Sequence, residues 1–498
     1  MRESGILLPI SALPSKYGIG CISKEAYDFV DQLIAAGQKK WQILPLGPNG
    51  HEKGCDSPYQ SYSTFAGNPY FVNLEALIEW GLLKPEECDA VDFGDNENLI
   101  DYDKLDKERD IILRLAFSRF STDWNDEYAW FVQNNGFWLE DYCLYMALKK
   151  ESGGLAWTEW EEKYRDRHLG ALQEAREALD EEIRYHRFVQ YMFWKEWNGL
   201  KHYANENGIQ IIGDIPIYVA FDSADAWSRP MLFQFTENNE PTAVSGCPPD
   251  GFSPTGQVWN NPLYNWEYHL QTGFAWWAER MAHNLRLYDV VRIDHFRGLD
   301  EYFSIPYGDT DAFRGHWEKG PGMALFHALE EKLGRMNLIA EDLGYLTESV
   351  KELLRETGYP GMKVIEFAFD GSEDSVYLPH KYEHNCVVYT GTHDNDTLQS
   401  WYLSLNDHDR EFTQRYLNNA ATPLAEKHWD FVRLAMASVA DLCVIPIQDY
   451  LGLGNEARIN VPGVGKEGSN WKWRLSRGMI TEKLTGDIWQ MTKLYGRL

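Results

Sequence analysis

The chain has 498 residues, of which 44% are hydrophobic and 14% aromatic. This is enough apolar side chain for a large core and excludes a disordered protein. Lys and Arg total 47 against 76 Asp and Glu, a net charge of −29 at pH 7. Because polyanions are bound by basic surfaces, nucleic acid and anionic membranes are poor candidate partners, and a neutral substrate is favoured.

Cysteine usage and the N-terminal sequence both favour a soluble, cytoplasmic protein. The seven cysteines are scattered, with no CxxC pair and no zinc-like spacing, so we expect reduced thiols. The apolar stretch from Ile6 to Ile10 is interrupted by Pro9 and is interpreted as a strand rather than a targeting segment. No run approaches the ~18 apolar residues of a membrane helix, so no membrane partner is expected.

Short apolar runs that end in polar, Gly or Pro residues recur along the chain and alternate with amphipathic helical stretches. This is typical of buried parallel strands whose C-terminal loops carry function. Eight such units predict an α/β fold, a (β/α)8 TIM barrel. The predicted strands are 5–10, 40–46, 210–218, 288–294, 337–341, 362–367, 386–390 and 443–448.

The spacing of these strands is uneven. Roughly 160 residues separate the second from the third and roughly 70 the third from the fourth, whereas a plain crossover needs a dozen or more. We therefore expect one catalytic domain over 1–498 with two insertions. The first, 70–200 after strand 2, should be mainly helical, and the second, 220–285 after strand 3, a loop and helical subdomain.

Four of the predicted strands end in an acidic residue: Asp214, Glu341, Asp294 and, in the strand-seven loop, Asp394. In a TIM barrel the active site is built at these C-terminal ends. A single strand-terminal carboxylate often only caps the following helix. Four together indicate converging side chains, and hence an active site.

Converging carboxylates serve either divalent metal binding or glycoside cleavage. His295 and His393 are available as metal ligands, but we place no complete ligand set, so we assign no metal. Arg292 lies two positions before Asp294 and shares its strand face, where its charge would keep the pKa of Asp294 low for a nucleophile. The alternative for this pair is a structural ion pair in the barrel interior.

Aromatic residues in the predicted loops favour a sugar substrate, because sugar rings stack on aromatic planes while their hydroxyls bind planar polar groups. An aromatic residue is more often part of the core, but a Pro- or Gly-rich setting favours exposure. The candidates are Tyr59 within Ser57-Pro58-Tyr59-Gln60, Phe252, Trp259, and the run Asn470-Trp471-Lys472-Trp473.

Eight motifs in order along nearly the whole chain closely resemble the 4-α-glucanotransferases of glycoside hydrolase family 77, in the α-amylase clan. They are DSPYQS at 56–61, GNPY at 67–70, GDIPIYV at 213–219, PPD at 248–250, NPLY at 261–264, RIDHFRG at 292–298, AEDLG at 340–344 and GTHDN at 391–395. The chain departs from some relatives at Gly251, where they carry Tyr or Ala, and glycine has no ring for stacking.

The resemblance implies a barrel with subdomains in its loops and no C-terminal β-domain. It also implies that Asp294 is the nucleophile, Glu341 the general acid and base with a raised pKa, and Asp394 the carboxylate that stabilises the transition state. Further sugar contacts implied at matched positions are Asp214, Arg292, His393, Ser57, Tyr59, Trp259, Asp370 and Asn470.

The implied reaction is retaining transfer of α-1,4-glucan segments to the 4-hydroxyl of an acceptor, without a cofactor. Malto-oligosaccharides, glucose and α-1,4-glucans are the expected partners, and the protein is a monomer or a homodimer. Three alternatives stay open at this point: a hydrolytic glucosidase of the α-amylase clan, a non-catalytic glucan-binding protein, and a metal-dependent hydrolase.

Overall fold

The computed structural model describes residues 2–49, 56–122, 125–249, 253–344, 346–463 and 469–498. These residues form twelve strands, and the eight predicted strands are all among them. The strands are β1 (Glu3–Leu7), β2 (Lys40–Gln42), β3 (Gln210–Pro216), β4 (Ala243–Cys247), β5 (Gln257–Pro262), β6 (Val290–Asp294), β7 (Glu301–Pro306), β8 (His316–Lys319), β9 (Leu338–Ala340), β10 (Gly361–Val364), β11 (Cys386–Tyr389) and β12 (Leu442–Pro446).

Eight strands form one parallel sheet in the order β10-β11-β12-β1-β2-β3-β6-β9. The two edge strands, β9 and β10, also meet, because the Ala340 N–H of β9 donates to the carbonyl of Pro360, the residue before β10, at 2.9 Å. The sheet therefore curls into a barrel, and the TIM-barrel prediction is confirmed. In the described residues β12 is the last strand, so no C-terminal β-domain is present among them.

The barrel interior is apolar at its base and polar at its top. One buried cluster draws a side chain from nearly every barrel strand: Leu7, Ile212, Val290, Ile339, Met362, Val387, Tyr389 and Val444. Alternate residues of a strand share a face. Ile212 is therefore followed on the inner face by Asp214, and Val290 by Arg292 and Asp294, which brings charged groups together above the apolar layer.

The helices cover the outside of the barrel and fill the first insertion. Between residues 70 and 200 the described chain holds helices and no strand, and the two longest, α5 and α8, are joined by an ion pair of Glu140 with Arg187 at 2.5 Å. No helix of the described residues is both long and apolar enough to span a bilayer. The helices are α1 (Lys24–Ala35), α2 (Leu74–Glu79), α3 (Pro85–Asp89), α4 (Tyr102–Phe117), α5 (Asp126–Glu151), α6 (Glu162–Arg165), α7 (Leu169–Ala178), α8 (Asp180–Glu206), α9 (Ala224–Ser228), α10 (Trp266–Gln271), α11 (Ala275–Leu287), α12 (Met323–Leu333), α13 (Glu348–Thr357), α14 (Leu398–Ser404), α15 (Asp407–Leu417), α16 (His428–Ala437), α17 (Ile447–Leu451) and α18 (Glu482–Leu494).

A second, antiparallel sheet corrects the expectation of a loop and helical subdomain at 220–285. Its order is β5-β4-β7-β8, so the hairpin β4-β5 from this segment pairs with β7-β8, which follow the barrel strand β6. Gly246 allows the close pairing of the hairpin, because a Cβ there would lie 2.1 Å from the Gln257 carbonyl oxygen. The β4-β7 pairing joins segments far apart in sequence, which local hydrophobic patterns do not reveal.

Candidate active site

A buried ion-pair bridge forms the floor of the site. The Arg292 guanidinium on β6 donates to both carboxylate oxygens of Asp214 on β3, at 2.8 and 2.6 Å, and lies 3.0 Å from Asp294 Oδ1. The side chain of Asp214 is 0% exposed and that of Arg292 4%, whereas that of Asp294 is 29% exposed. The bridge therefore holds Asp294 at the boundary between the sealed interior and the open barrel mouth.

Tyr59 covers this floor from the loop after β2. Its hydroxyl donates to Asp214 Oδ2 at 2.8 Å and lies 2.9 Å from His393 Nε2, and its ring stacks on the His393 ring at 5.4 Å and 14°. The Tyr59 N–H donates to Ser57 Oγ at 3.2 Å, which fixes the turn that presents the ring. Tyr59 and His393 are thus brought together with Asp214.

Glu341 follows β9, and backbone amides hold both of its carboxylate oxygens. Oε2 accepts from the His295 N–H at 2.7 Å and Oε1 from the Leu343 N–H at 2.8 Å. His295 has a left-handed backbone, with φ of 55°, which costs a non-glycine residue about 1 kcal/mol or more. This conformation immediately after Asp294 turns an amide toward Glu341, so the backbone couples the two candidate catalytic residues.

Asp394 lies in the loop after β11 and is 42% exposed. Its Oδ1 accepts from Asn460 Nδ2 at 2.6 Å and lies 3.4 Å from His393 Nε2. The Arg458 guanidinium donates to the Asp394 carbonyl at 2.6 Å. Asn460 and Arg458 were missed by the sequence reasoning, since they follow β12 in an irregular segment without a local pattern.

Trp259 reaches the site from β5 of the antiparallel sheet. Its ring packs edge-to-face on the His295 ring, with centroids 4.9 Å apart and an angle of 88°. Its indole N–H donates to Gln257 Oε1 at 3.0 Å, which orients the ring. The tryptophan is only partly buried, so it lies beside the carboxylate pair with one part accessible.

Two predicted contacts make local bonds instead of joining the cluster. Asp370 is exposed in the segment after β10, and its carboxylate accepts from the Ser372 N–H at 2.9 Å. The Asn470 side chain bonds both backbone groups of Val461, at 2.9 and 3.1 Å, and so ties the two ends of the last loop together. The neighbouring Trp471 does reach the site, with its ring 5.9 Å from that of Tyr59. Gly251 and Phe252 lie outside the described residues.

Burial and like charge dominate the electrostatics of the carboxylate pair. Burial raises the pKa of Glu341, and the attraction of Arg292 and the two backbone hydrogen bonds oppose this rise. Burial also raises the pKa of Asp294 to about 7, against the attraction of Arg292 and with the repulsion of Asp214, Glu341 and Asp394. Arg292 lowers the pKa of Asp294 as expected, but burial outweighs it, so this pKa is raised rather than low. The two carboxyl groups are coupled, so their protonation is a property of the pair rather than of either residue alone.

A pair of coupled carboxyl groups at a barrel mouth, with a partly accessible aromatic ring beside it, is the arrangement of a glycoside-cleaving enzyme. Clustered potential metal ligands lie elsewhere: in the described part of the chain, the one group of three within 4.8 Å is Glu162, Asp166 and His168, all exposed on the first insertion.

Comparison with known proteins identifies the family. The model of the 4-α-glucanotransferases, glycoside hydrolase family 77, matches residues 8–481. A 4-α-glucanotransferase of Clostridium butyricum is 46% identical over 490 residues, 98% of this chain and 99% of that one, and one of Thermus thermophilus is 43% identical over 506 residues, 100% and 99%. An amylomaltase of Streptococcus agalactiae solved in complex with acarbose superposes with a TM-score of 0.95 at 38% identity, over 100% of both chains.

The chain therefore belongs to the 4-α-glucanotransferases of glycoside hydrolase family 77. Its activity is transfer of segments of α-1,4-glucans, as the resemblance of its motifs implied. A hydrolytic glucosidase and a non-catalytic binding protein are not favoured by these relationships.

Proposed function

We propose that Asp294 is the nucleophile, Glu341 the general acid and base, and Asp394 the carboxylate that stabilises the transition state. The observation that carries this assignment is the Arg292 bridge, which is sealed on the Asp214 side and presents Asp294 to the open barrel mouth. Glu341 is coupled to the same strand end through the His295 amide. A nucleophile and an acid held by one backbone turn can keep a fixed separation, which retention requires to be about 5 to 5.5 Å.

In the first half-reaction, Glu341 donates its proton to the glycosidic oxygen while Asp294 attacks the anomeric carbon. The bond to the leaving glucan breaks, and a covalent β-glucosyl ester forms at Asp294. In the second, Glu341 takes the proton of the acceptor 4-hydroxyl, which attacks the anomeric carbon and releases Asp294. Two inversions give a new α-1,4 bond.

The other carboxylates have different tasks because their surroundings differ. The Asp394 side chain is more exposed than that of Asp294, 42% against 29%, and is oriented by Asn460. It is therefore placed to bind two sugar hydroxyls that hydrogen-bond more strongly as positive charge develops. Asp214 is fully sealed and is already bonded to Arg292 and Tyr59. Its sugar contact would use a lone pair not occupied by these partners.

Binding of malto-oligosaccharides, glucose and longer α-1,4-glucans is proposed to use Tyr59, His393 and Trp259 as ring and hydroxyl contacts, with Ser57 supporting Tyr59. Asp370 and Asn470 are proposed as outer contacts. Asp370 is exposed and free to reorient its solvent-facing oxygen, whereas Asn470 acts through the loop that it closes. Preference for a sugar hydroxyl over water would come from a covered mouth, which the insertions at 70–200 and 220–285 can provide.

We further propose cytoplasmic action without a cofactor, as a monomer or homodimer. The proton transfers and covalent catalysis described above need only side chains of this chain.

The deciding experiment is incubation of the purified protein with maltotriose alone, without added metal, following the oligosaccharide ladder and total reducing ends. We expect shorter and longer glucans at a constant number of reducing ends. Rising reducing ends would show hydrolysis instead, and an unchanged substrate would contradict the proposal. Repetition in EDTA should give the same ladder, whereas loss of the ladder would point to a metal.

A further inference from the structure

Glu366 is a buried carboxyl group that the proposed chemistry does not use. It lies in the single turn Ile365–Ala368 directly after β10 and is 7% exposed. Its backbone N–H donates to the Thr390 carbonyl at 3.2 Å, at the end of β11. Within the described structure its Oε1 is buried without a hydrogen-bond partner.

The carboxyl group of Glu366 fills the space beneath the loop that carries Asp394. A Cβ built on Gly391 would lie 2.8 Å from Glu366 Oε1 and 3.2 Å from the Asn395 Cβ, so the three residues converge at one point. Asn395 organises this loop, since its Oδ1 accepts from both the N–H and the hydroxyl of Thr392, at 2.9 and 2.8 Å. The Thr392 hydroxyl oxygen in turn accepts from the Asp394 N–H at 3.3 Å.

The charges around Glu366 are unbalanced. Asp449 and Asp396 face it together with one cation, Arg458, which is already paired with Asp396 and bonded to the Asp394 carbonyl. Asp449 is 2% exposed and accepts from the Leu398 N–H at 2.9 Å. Burial and repulsion by these carboxylates raise the pKa of Glu366 well above its usual value. The Asn395 side chain hydrogen-bonds to this carboxyl group and, together with Arg458, opposes that rise of the pKa.

We propose that Glu366 is a positioning residue that supports the 391–397 loop through Asn395 and so fixes Asp394 for transfer. The inference rests on the proposed role of Asp394. An apolar group at this place would leave the Asn395 side chain and the turn at Thr392 without this hydrogen-bonding partner, and the Asp394 carboxylate would lose its fixed direction toward the sugar.

The test uses two substitutions of nearly equal volume. Glu366→Gln keeps a hydrogen-bonding end and Glu366→Met removes it, so neither opens a large cavity. With maltotriose at pH 6.5 we expect Glu366→Gln to stay within twofold of the unsubstituted protein in kcat and KM. Glu366→Met should lose at least tenfold in kcat with KM within twofold, because Asp394 acts mainly in the transition state.

Glu196 offers the matched control, since it is also 7% exposed, has an unpartnered Oε1 within the described structure, and lies on α8 away from the site. Glu196→Gln and Glu196→Met should both keep kcat. Full kcat in Glu366→Met, equal loss in Glu366→Gln, or an equal loss in Glu196→Met would each overturn the inference. Asp394→Asn distinguishes failure of the proposed role of Asp394 from failure of the role of Glu366. If Asp394→Asn stays active, the role of Asp394 is wrong. If it is inactive while Glu366→Met stays active, only the role of Glu366 is wrong.

Discussion

The groups at the barrel strand ends and the groups on the surrounding loops reach the same site by different means. Asp214, Arg292 and Asp294 are placed by strand register, since Asp214 pairs directly with Arg292 between β3 and β6. Tyr59, Trp259 and Asp394 are placed by individual contacts, such as the bond of Tyr59 to Asp214, 155 residues away, and that of Asp394 to Asn460, 66 residues away. The strand groups are therefore fixed by the register of the sheet, whereas the loop groups, which include the proposed catalytic residue Asp394, are held by individual bonds that can be removed one at a time.

Loss of the nucleophile should give the largest effect. Asp294→Asn is nearly isosteric and keeps a partner for Arg292, so the fold should persist while kcat falls by about 10⁴-fold or more. Transfer from maltotriose and the thermal midpoint would be measured together. Near-normal turnover in this variant would remove Asp294 from the mechanism. Glu341→Gln is the companion variant and should also stop transfer from maltotriose, while a donor with a good leaving group, such as glucosyl fluoride, should still load the enzyme.

Breaking the strand-borne bridge should cost both stability and activity. Arg292→Met leaves Asp214 and Asp294 buried without their cation, which typically destabilises a protein by about 3 to 5 kcal/mol. Urea unfolding measures this free energy. Because the cation is lost, the pKa of both catalytic carboxyls should rise and the pH optimum should move upward. Lys483→Met, at an exposed ion pair with Asp487, is the control and should leave the unfolding midpoint unchanged.

The pH profile tests the shared proton of the pair. The proposed active form carries one proton on the pair. Burial raises the pKa of Asp294 to about 7, so kcat/KM for the free enzyme should have an alkaline limb near that pH. Above this limb kcat/KM should fall tenfold per pH unit. The acid limb should lie above the usual pKa of a glutamate, since that of Glu341 is raised. A profile that stays flat from pH 6 to 9 would contradict a shared proton.

A single loop-borne bond should have a smaller effect. Tyr59→Phe removes the hydroxyl that bonds Asp214 and His393 but keeps the ring stacked on His393. Asp214 retains Arg292, so we expect a loss of about 1 to 1.5 kcal/mol, or roughly tenfold in kcat/KM. Kinetics on maltotriose measure it. An effect as large as that of Arg292→Met would show that the loop contact is as important as the strand bridge.

The smallest expected effect is on the pH dependence of folding stability, through the titration of Glu366. Its pKa is raised in the folded state, so it contributes stability that is complete below the unfolded pKa near 4.5 and is lost as pH rises through the folded value. Glutamine does not titrate, so the thermal midpoint of Glu366→Gln should rise relative to the unsubstituted protein between pH 5 and 9. Glu348→Gln, whose side chain is 84% exposed, should not show this trend.

The division between strands and loops also decides what could be predicted from sequence. The eight barrel strands and the convergence of Asp214, Asp294, Glu341 and Asp394 follow from hydrophobic runs that end in acidic residues, because parallel strands must place their C-terminal ends together. Residue roles came from the family motifs. Asn460 and Arg458 could not be found, because their bonds to Asp394 depend on how an irregular segment folds back over 60 residues or more.

The antiparallel sheet and the direction of the Asp294 pKa were not predicted for related reasons. Pairing of β4 with β7 joins two loops whose own sequences do not reveal the partner. The pKa of Asp294 depends on how far burial outweighs the attraction of Arg292, which only the folded chain decides. Local sequence patterns therefore predict the strands and helices, whereas the pKa values of the site depend on contacts between residues that are distant in sequence.

The antiparallel sheet also determines how segments could be exchanged between relatives. Trp259 sits on a hairpin whose inner strand β4 is bonded to β7, and β7 begins a few residues after Asp294 on β6. A graft of residues 243–262 alone would pair the β4 of one protein with the β7 of another. A chimaera should therefore exchange residues 243–262 together with 301–319, because these two segments are separate in sequence but form one sheet.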